Sequence, residues 1–126
     1  MPITRIEVKR SWPPEIQQQF IEAAHAVMVE ALKIPEHDKL VRFVEHRPEH
    51  FASPPGTSEN FTFVEVSLFH GRSLEAKRKL YQGIVKRFGE LGIEPKDIRI
   101  VLYEVPLENW GIRGGVPASE VDLGFK

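Results

Sequence analysis

Residues 3–8, Ile3-Thr4-Arg5-Ile6-Glu7-Val8, alternate apolar and polar positions well enough to predict a short strand directly after Met1-Pro2. Ser11-Trp12-Pro13-Pro14 then reads as a turn into a helix, because proline is tolerated in the first helical turn and Glu15 suits the positive end of the helix dipole. From Ile16 the apolar residues Phe20, Ala23, Ala24, Val27, Met28, Ala31 and Leu32 share one helical face, and Pro35 stops the run. Residues 40–46 predict a second strand, and residues 47–60, with Pro48, Pro54, Pro55 and Gly56, a surface loop. Residues 62–69 form the clearest strand pattern. Gly71 breaks it before a second helix with the apolar face Leu74, Leu80, Tyr81, Ile84, Val85, Phe88 and Leu91, which Gly92 caps. Residues 98–105 are apolar on both faces, the pattern of a strand in the middle of a covered sheet. The tail from Pro106 is rich in glycine and proline, with room for a brief strand at residues 120–123.

Strand, helix, strand thus occurs twice, and traces of duplication survive in the letters. Leu32, Ile34, Asp38 and Glu45 return as Leu91, Ile93, Asp97 and Glu104 at a constant offset of 59 (91 − 32), while Ile6-Glu7-Val8 matches Val64-Glu65-Val66 one residue out of that register. A right-handed βαβ unit makes its two strands parallel with the helix on one face. Two units therefore predict an α+β fold: a four-stranded mixed sheet with both helices on one side, in a single domain over residues 1–126 with a pseudo-repeat of about 1–60 and 61–126. The other sheet face, left uncovered, is expected to be buried by another subunit.

Composition changes this picture little. A chain of 126 residues buries roughly 65% of its extended surface without covalent staples. It contains no cysteine, which removes thiolate chemistry and fits a reducing, cytoplasmic setting. No apolar run is long enough for a membrane span. With 17 Lys and Arg against 18 Asp and Glu, a net charge of −1 gives no field that favours nucleic acid or anionic lipid.

Candidate chemistry is sparse. If the initiator methionine is trimmed, Pro2 becomes a terminal secondary amine; an α-amino group ordinarily titrates near ~8, and burial or a neighbouring cation lowers that value, leaving a neutral base at pH 7. Many chains begin Met-Pro for no chemical reason, so the dipeptide alone decides nothing. His46 and His50 have an i, i+4 spacing used by zinc, but Pro48 between them breaks the helix that would make it useful, and no metal is expected. His25 reads as a packed or surface histidine. Lys77-Arg78-Lys79 reads as a solvated helix face, and Gly111-Ile112-Arg113-Gly114-Gly115 precedes no helix that would complete a phosphate loop. Arg72, in His70-Gly71-Arg72 where the third strand meets the second helix, can grip a carboxylate with two parallel hydrogen bonds. The topology expected from the duplication puts Arg72 at the strand end opposite to Pro2, so that converging loops or a second subunit would be needed to join them.

Pro2 opening a strand, the two βαβ units, the segment from Phe69-His70-Gly71-Arg72-Ser73 to Lys77, and Asn109-Trp110-Gly111-Ile112-Arg113-Gly114-Gly115 together resemble the tautomerase superfamily. More narrowly, the chain is similar to the longer members of that superfamily, the group that includes malonate semialdehyde decarboxylase. The resemblance covers nearly the whole sequence. It implies a homotrimer of α+β subunits, no cofactor, and a small carboxylic-acid substrate that meets an amino-terminal proline. Residue by residue it implies Pro2 as the catalytic proline and Arg72 as the carboxylate-binding arginine. His70 stands where the decarboxylase carries another arginine, a departure that argues against decarboxylation. Asp38 matches the acid that orients water in the decarboxylase, although Asp97 repeats it in the other half, where capping is the ordinary reason for an aspartate. Trp110 and Ile112 fall in the segment that walls the proline. The activity implied is keto-enol tautomerisation of small 2-keto acids, with a decarboxylase or hydratase, or a non-catalytic trimer that binds small acids, as alternatives.

Overall fold

A computed structural model describes residues 2–122. The main sheet consists of β1 (Ile3–Val8), β2 (Val41–Glu45), β3 (Thr62–Phe69) and β4 (Ile98–Val105) in the order β2-β1-β3-β4. Helix α1 (Pro14–Leu32) joins β1 to β2, and α2 (Leu74–Glu90) joins β3 to β4. Each of these strand pairs is parallel, and β1 and β3 are antiparallel at the centre, with Ile3 opposite Ser67 and Val8 opposite Thr62. The sheet is therefore mixed, as the pattern of the chain predicts.

One face of the sheet supplies the core. Ile6 and Val8 of β1 and Val64, Val66 and Leu68 of β3 are buried against Phe20, Ala24, Val27, Met28, Ala31 and Leu32 of α1 and Leu80, Ile84 and Phe88 of α2. Both helices thus lie on the same side. They touch closely at Gly83, where even a Cβ would come within 3.0 Å of Val27. The buried stripe of α2 is narrower than its apolar pattern suggests: Leu74 and Tyr81 face solvent at 66% and 36% exposure. Gly92, with φ +97°, ends that helix as expected. Its N–H donates to Gly89 and that of Ile93 to Phe88, the paired bonds of a Schellman cap.

The last main strand departs from expectation. β4 is an edge strand rather than a central one. Ile98, Ile100 and Leu102 pack on the core, whereas Arg99 and Tyr103, which alternate with them, are exposed. The open face is correspondingly mixed in character. Tyr103 Oη donates to Glu65 at 2.6 Å, and Arg5 stands 3.7 Å from the same carboxylate.

The tail forms a small hairpin of β5 (Gly111–Ile112) and β6 (Val116–Pro117). In place of the expected strand, Ala118–Glu120 is a turn of 3-10 helix, and Leu123 lies outside the described residues. Among the described residues no helix is long and apolar enough to cross a membrane.

Asp97 ties the long loop to the start of β4. It is 1% exposed and accepts hydrogen bonds from the amide and hydroxyl of Ser58 at 2.7 and 2.6 Å. Burial works to raise its pKa, but the two Ser58 bonds, with the charges of Lys96 and Lys9, outweigh that and leave it below the usual carboxylate value. A group depressed in the folded state stabilises the fold above its unfolded pKa of ~4 and loses that contribution as the pH falls through the folded value. Urea unfolding of Asp97→Asn is expected to show a loss of about 1–3 kcal/mol at neutral pH. The difference from the parent should shrink below about pH 4.

Candidate active site

The antiparallel register of β1 and β3 overturns the expectation that Arg72 stands at the far end of the strands from Pro2. Ile3 pairs with Ser67, so one step further Pro2 lies opposite Leu68, at the end of β3 that leads into His70-Gly71-Arg72. The parallel pairs bring two more segments to this end. The N–H of Thr4 donates to Leu40 at 3.0 Å, which places the start of β2 and the Asp38 turn alongside. Phe69 pairs with Val105, which places the chain leading to Trp110 on the other side. A single subunit therefore gathers Pro2, Asp38, His70, Arg72 and the Trp110 segment at one end of its sheet.

Pro2 is buried. Arg72 is half-buried, and its Nη1 donates to the main-chain carbonyl of Leu32 at the C-terminal end of α1. That carbonyl carries the partial negative charge of a helix end, a natural anchor for a cation. Burial lowers the pKa of Arg72, yet a guanidinium remains charged across the range in which proteins work. Gly71, at φ +111°, takes a backbone conformation that side chains rarely adopt and so turns the chain sharply before Arg72. Ser73 then accepts from the amide of Ala76 and starts α2.

Trp110 forms the wall of this end. Its ring meets Phe69 edge to face at 4.8 Å, its indole N–H donates to Val105 at 3.1 Å, and Ala118 is buried with the pair. Ile3, Leu107 and Ile112 pack around them. His70, by contrast, is exposed. Asp38 is half-buried in a turn closed by its own amide donating to Pro35 at 3.1 Å. Its repeat partner Asp97 is occupied by Ser58 of the long loop, and the turn that contains it has no side-chain cap, so a tie between loop and strand stands where local capping is expected.

Several residues that hold this end together escaped the reading of the sequence. The buried ring of His25 hydrogen-bonds the carbonyl of Glu36 at 2.7 Å and so pins the Asp38 turn to α1. Glu104 accepts from Lys77 at 2.7 Å; that ammonium, with the amide of Gly71 as a further donor, holds the carboxyl below its usual value. The pair braces the turn that carries Arg72. Glu104 is one of the letters repeated between the two halves, a signal that was available but named no role. His46 hydrogen-bonds Glu7 at 2.6 Å and meets Phe51 edge to face, and among the described residues no group of three metal-ligating side chains is found. Behind β1, on the open face, Ile3, Arg5, Arg42, Glu65, Ser67 and Tyr103 line a hollow of about 120 Å³.

Comparison with known proteins agrees with this architecture. The probable tautomerase YusQ of Bacillus subtilis (strain 168) is 24% identical over 121 residues, which span 91% of this chain and 95% of that protein. A 2-hydroxymuconate tautomerase of Comamonas testosteroni is 33% identical over 60 residues, 94% of its length but 47% of this chain, about the extent of one strand-helix-strand unit. Among solved structures, Pt0534 inactivated by 2-oxo-3-pentynoate superposes with a TM-score of 0.88 at 21% identity, covering 95% of this chain and 99% of that one. Malonate semialdehyde decarboxylase gives 0.81 at 24% identity over 89% and 92% of the two chains. At such identities these likenesses establish the fold. Residues 38–113, more than half of the sequence, match the family described as tautomerase enzyme, and the chain belongs to that family, in its longer group.

Proposed function

We propose that this protein is a cofactor-independent keto-enol tautomerase for small 2-keto carboxylic acids, with Pro2 as its single acid-base group once Met1 is removed. The reading is supported chiefly by the register that brings Pro2 and Arg72 to the same end of the sheet. In this mechanism Arg72 grips the substrate carboxylate, and Trp110 and Ile112 exclude water. His70 polarises the substrate carbonyl from the solvent side. The Pro2 nitrogen takes the proton from the enol oxygen; the electron pair left on oxygen becomes the carbonyl, and the carbon-carbon double bond captures the same proton at carbon. One base near pKa 6 to 7 can do both in turn. Lowering a secondary amine from its ordinary value of ~8 takes about 1.4–2.7 kcal/mol, within reach of a neighbouring guanidinium and an apolar wall.

Assembly belongs to the same proposal. The chain forms a homotrimer in the cytoplasm, with the open sheet face turned toward its neighbours and Val101 and Val105 covered. Its elution as a trimer in light scattering coupled to gel filtration is the expected result, and a monomer at micromolar concentration would remove this part.

Pro2→Ala is expected to abolish ketonisation of phenylenolpyruvate while the protein remains folded, as read by its circular dichroism. Turnover within a few-fold of the parent would eliminate the mechanism, as would an intact mass showing Met1 retained in a fully active enzyme. The rate should fall as the pH drops below about 6 to 7, where the amine becomes protonated. Arg72→Ala should raise KM by about 10- to 100-fold through loss of a charge-assisted contact. Carbon dioxide release from a 3-oxo acid, with no ketonisation, would move the assignment to the decarboxylase reading and to Asp38.

A further inference from the structure

We infer that the opposite end of the sheet is a second, non-catalytic site for a small carboxylate, built on Arg10. The sheet reads the same from either end: β1 and β3 run antiparallel at its centre, and each is flanked by its own parallel partner. Whatever stands where β3 ends beside the start of β1 has a counterpart where β1 ends beside the start of β3. Val8 is opposite Thr62, and two further steps set Arg10 opposite Asn60. An Arg-Ser pair follows both β1 and β3, although Arg72-Ser73 runs directly into α2 while Trp12 and Pro13 separate Arg10-Ser11 from α1.

Arg10 is held differently from Arg72, by side chains rather than by a helix end. Arg10 Nη1 donates to Asn60 Oδ1 at 2.8 Å, and the guanidinium lies 4.3 Å from the centre of the Trp12 ring. Lys9 donates to Ser53 Oγ at 2.6 Å. Both cations are thus held by neutral oxygens, and among the described residues neither makes an ion pair, with Glu59 or with any other carboxylate. Of the acids toward this end, Glu7 accepts from His46, and Asp97 accepts from Ser58 while also feeling the charge of Lys9. Asn60, whose own N–H donates to Ser58 Oγ at 3.1 Å, fixes the acceptor that orients the guanidinium. The result is an exposed, oriented fork beside an aromatic face, and among the described residues Arg10 makes no ion pair.

Such a fork accepts a carboxylate through two parallel charge-assisted bonds, and the amide NH₂ of Asn60 adds a neutral donor. This end has no counterpart to a terminal amine, because Asn60 lies inside the chain and its nitrogen is an amide. The site binds and does not turn over. The choice of a carboxylate over another oxyanion rests on the proposed role of Arg72; the existence of an Arg10 site does not.

Tryptophan fluorescence tests this directly. The chain has 2 tryptophans, so Trp110→Phe leaves Trp12, under Arg10, as the reporter. Propionate should produce a saturable change in emission that survives addition of Pro2→Ala and weakens at least about tenfold with Arg10→Gln. The same titration on the ¹⁵N-labelled parent should move the amide signals of residues 9–12 and 58–61, a readout that needs no substitution. Arg10→Gln should leave ketonisation unchanged. Absence of a saturable response in both measurements, or a response indifferent to Arg10→Gln, would overturn the proposal, and saturation by inorganic phosphate but not propionate would overturn its ligand. Binding that depends on Arg10 in a protein without ketonisation would leave this site standing and remove the catalytic proposal instead.

Discussion

The antiparallel pairing of β1 with β3 governs both the core and the chemistry of this molecule. It sets Ile6 opposite Val64, so that both face the helices, while Arg5 and Glu65 share the open face. A slip of one residue would turn Arg5 and Glu7 toward Phe20 and Phe88, at the cost of burying two charges. The same register decides what Pro2 meets. Because the first strand begins where the third ends, the turn after β3 is delivered to the start of the chain within one subunit.

Rigidity at that end comes from hydrogen bonds to groups that cannot move independently of the core. Arg72 is fastened to the carbonyl of Leu32, itself 1% exposed, and the turn carrying it is braced by Glu104 and Lys77. His25 fixes the neighbouring turn through Glu36. Each anchor joins a loop to an element whose position is set by packing, and packed elements respond to perturbation by small discrete shifts rather than by gradual drift. A cation held in this way keeps its orientation whether or not an anion is present, which lowers the ordering cost of binding one.

Most of the fold was legible because its periodicities are clean. Phe20, Ala24, Val27, Met28, Ala31 and Leu32 repeat at helical spacing, and Val64, Val66 and Leu68 alternate at strand spacing. The errors have physical causes. Ile98, Ile100 and Leu102 with Val101 and Val105 look like a strand buried on both sides, because hydrophobicity does not distinguish a surface awaiting a partner from one covered within the subunit. Leu74 and Tyr81 sit within a helical turn of core positions yet point outward. The costlier error was the placing of Arg72: a mixed sheet built from two parallel pairs already sets β1 against β3, which brings the end of β3 to the start of β1. Trp110 and Arg72 were recognisable as types of residue, but His25, Glu104 and the Leu32 carbonyl act through contacts that arise only after folding.

The two ends of the sheet share one strand arrangement, yet a polypeptide possesses one amino terminus. Asn60, which stands opposite the end of β1 as Pro2 stands opposite the end of β3, is an internal link whose nitrogen has surrendered its lone pair to a peptide bond. Covalent continuity therefore breaks a chemical symmetry that the backbone retains, at an end where residues 53, 58 and 60 of the long loop bond Lys9, Asp97 and Arg10.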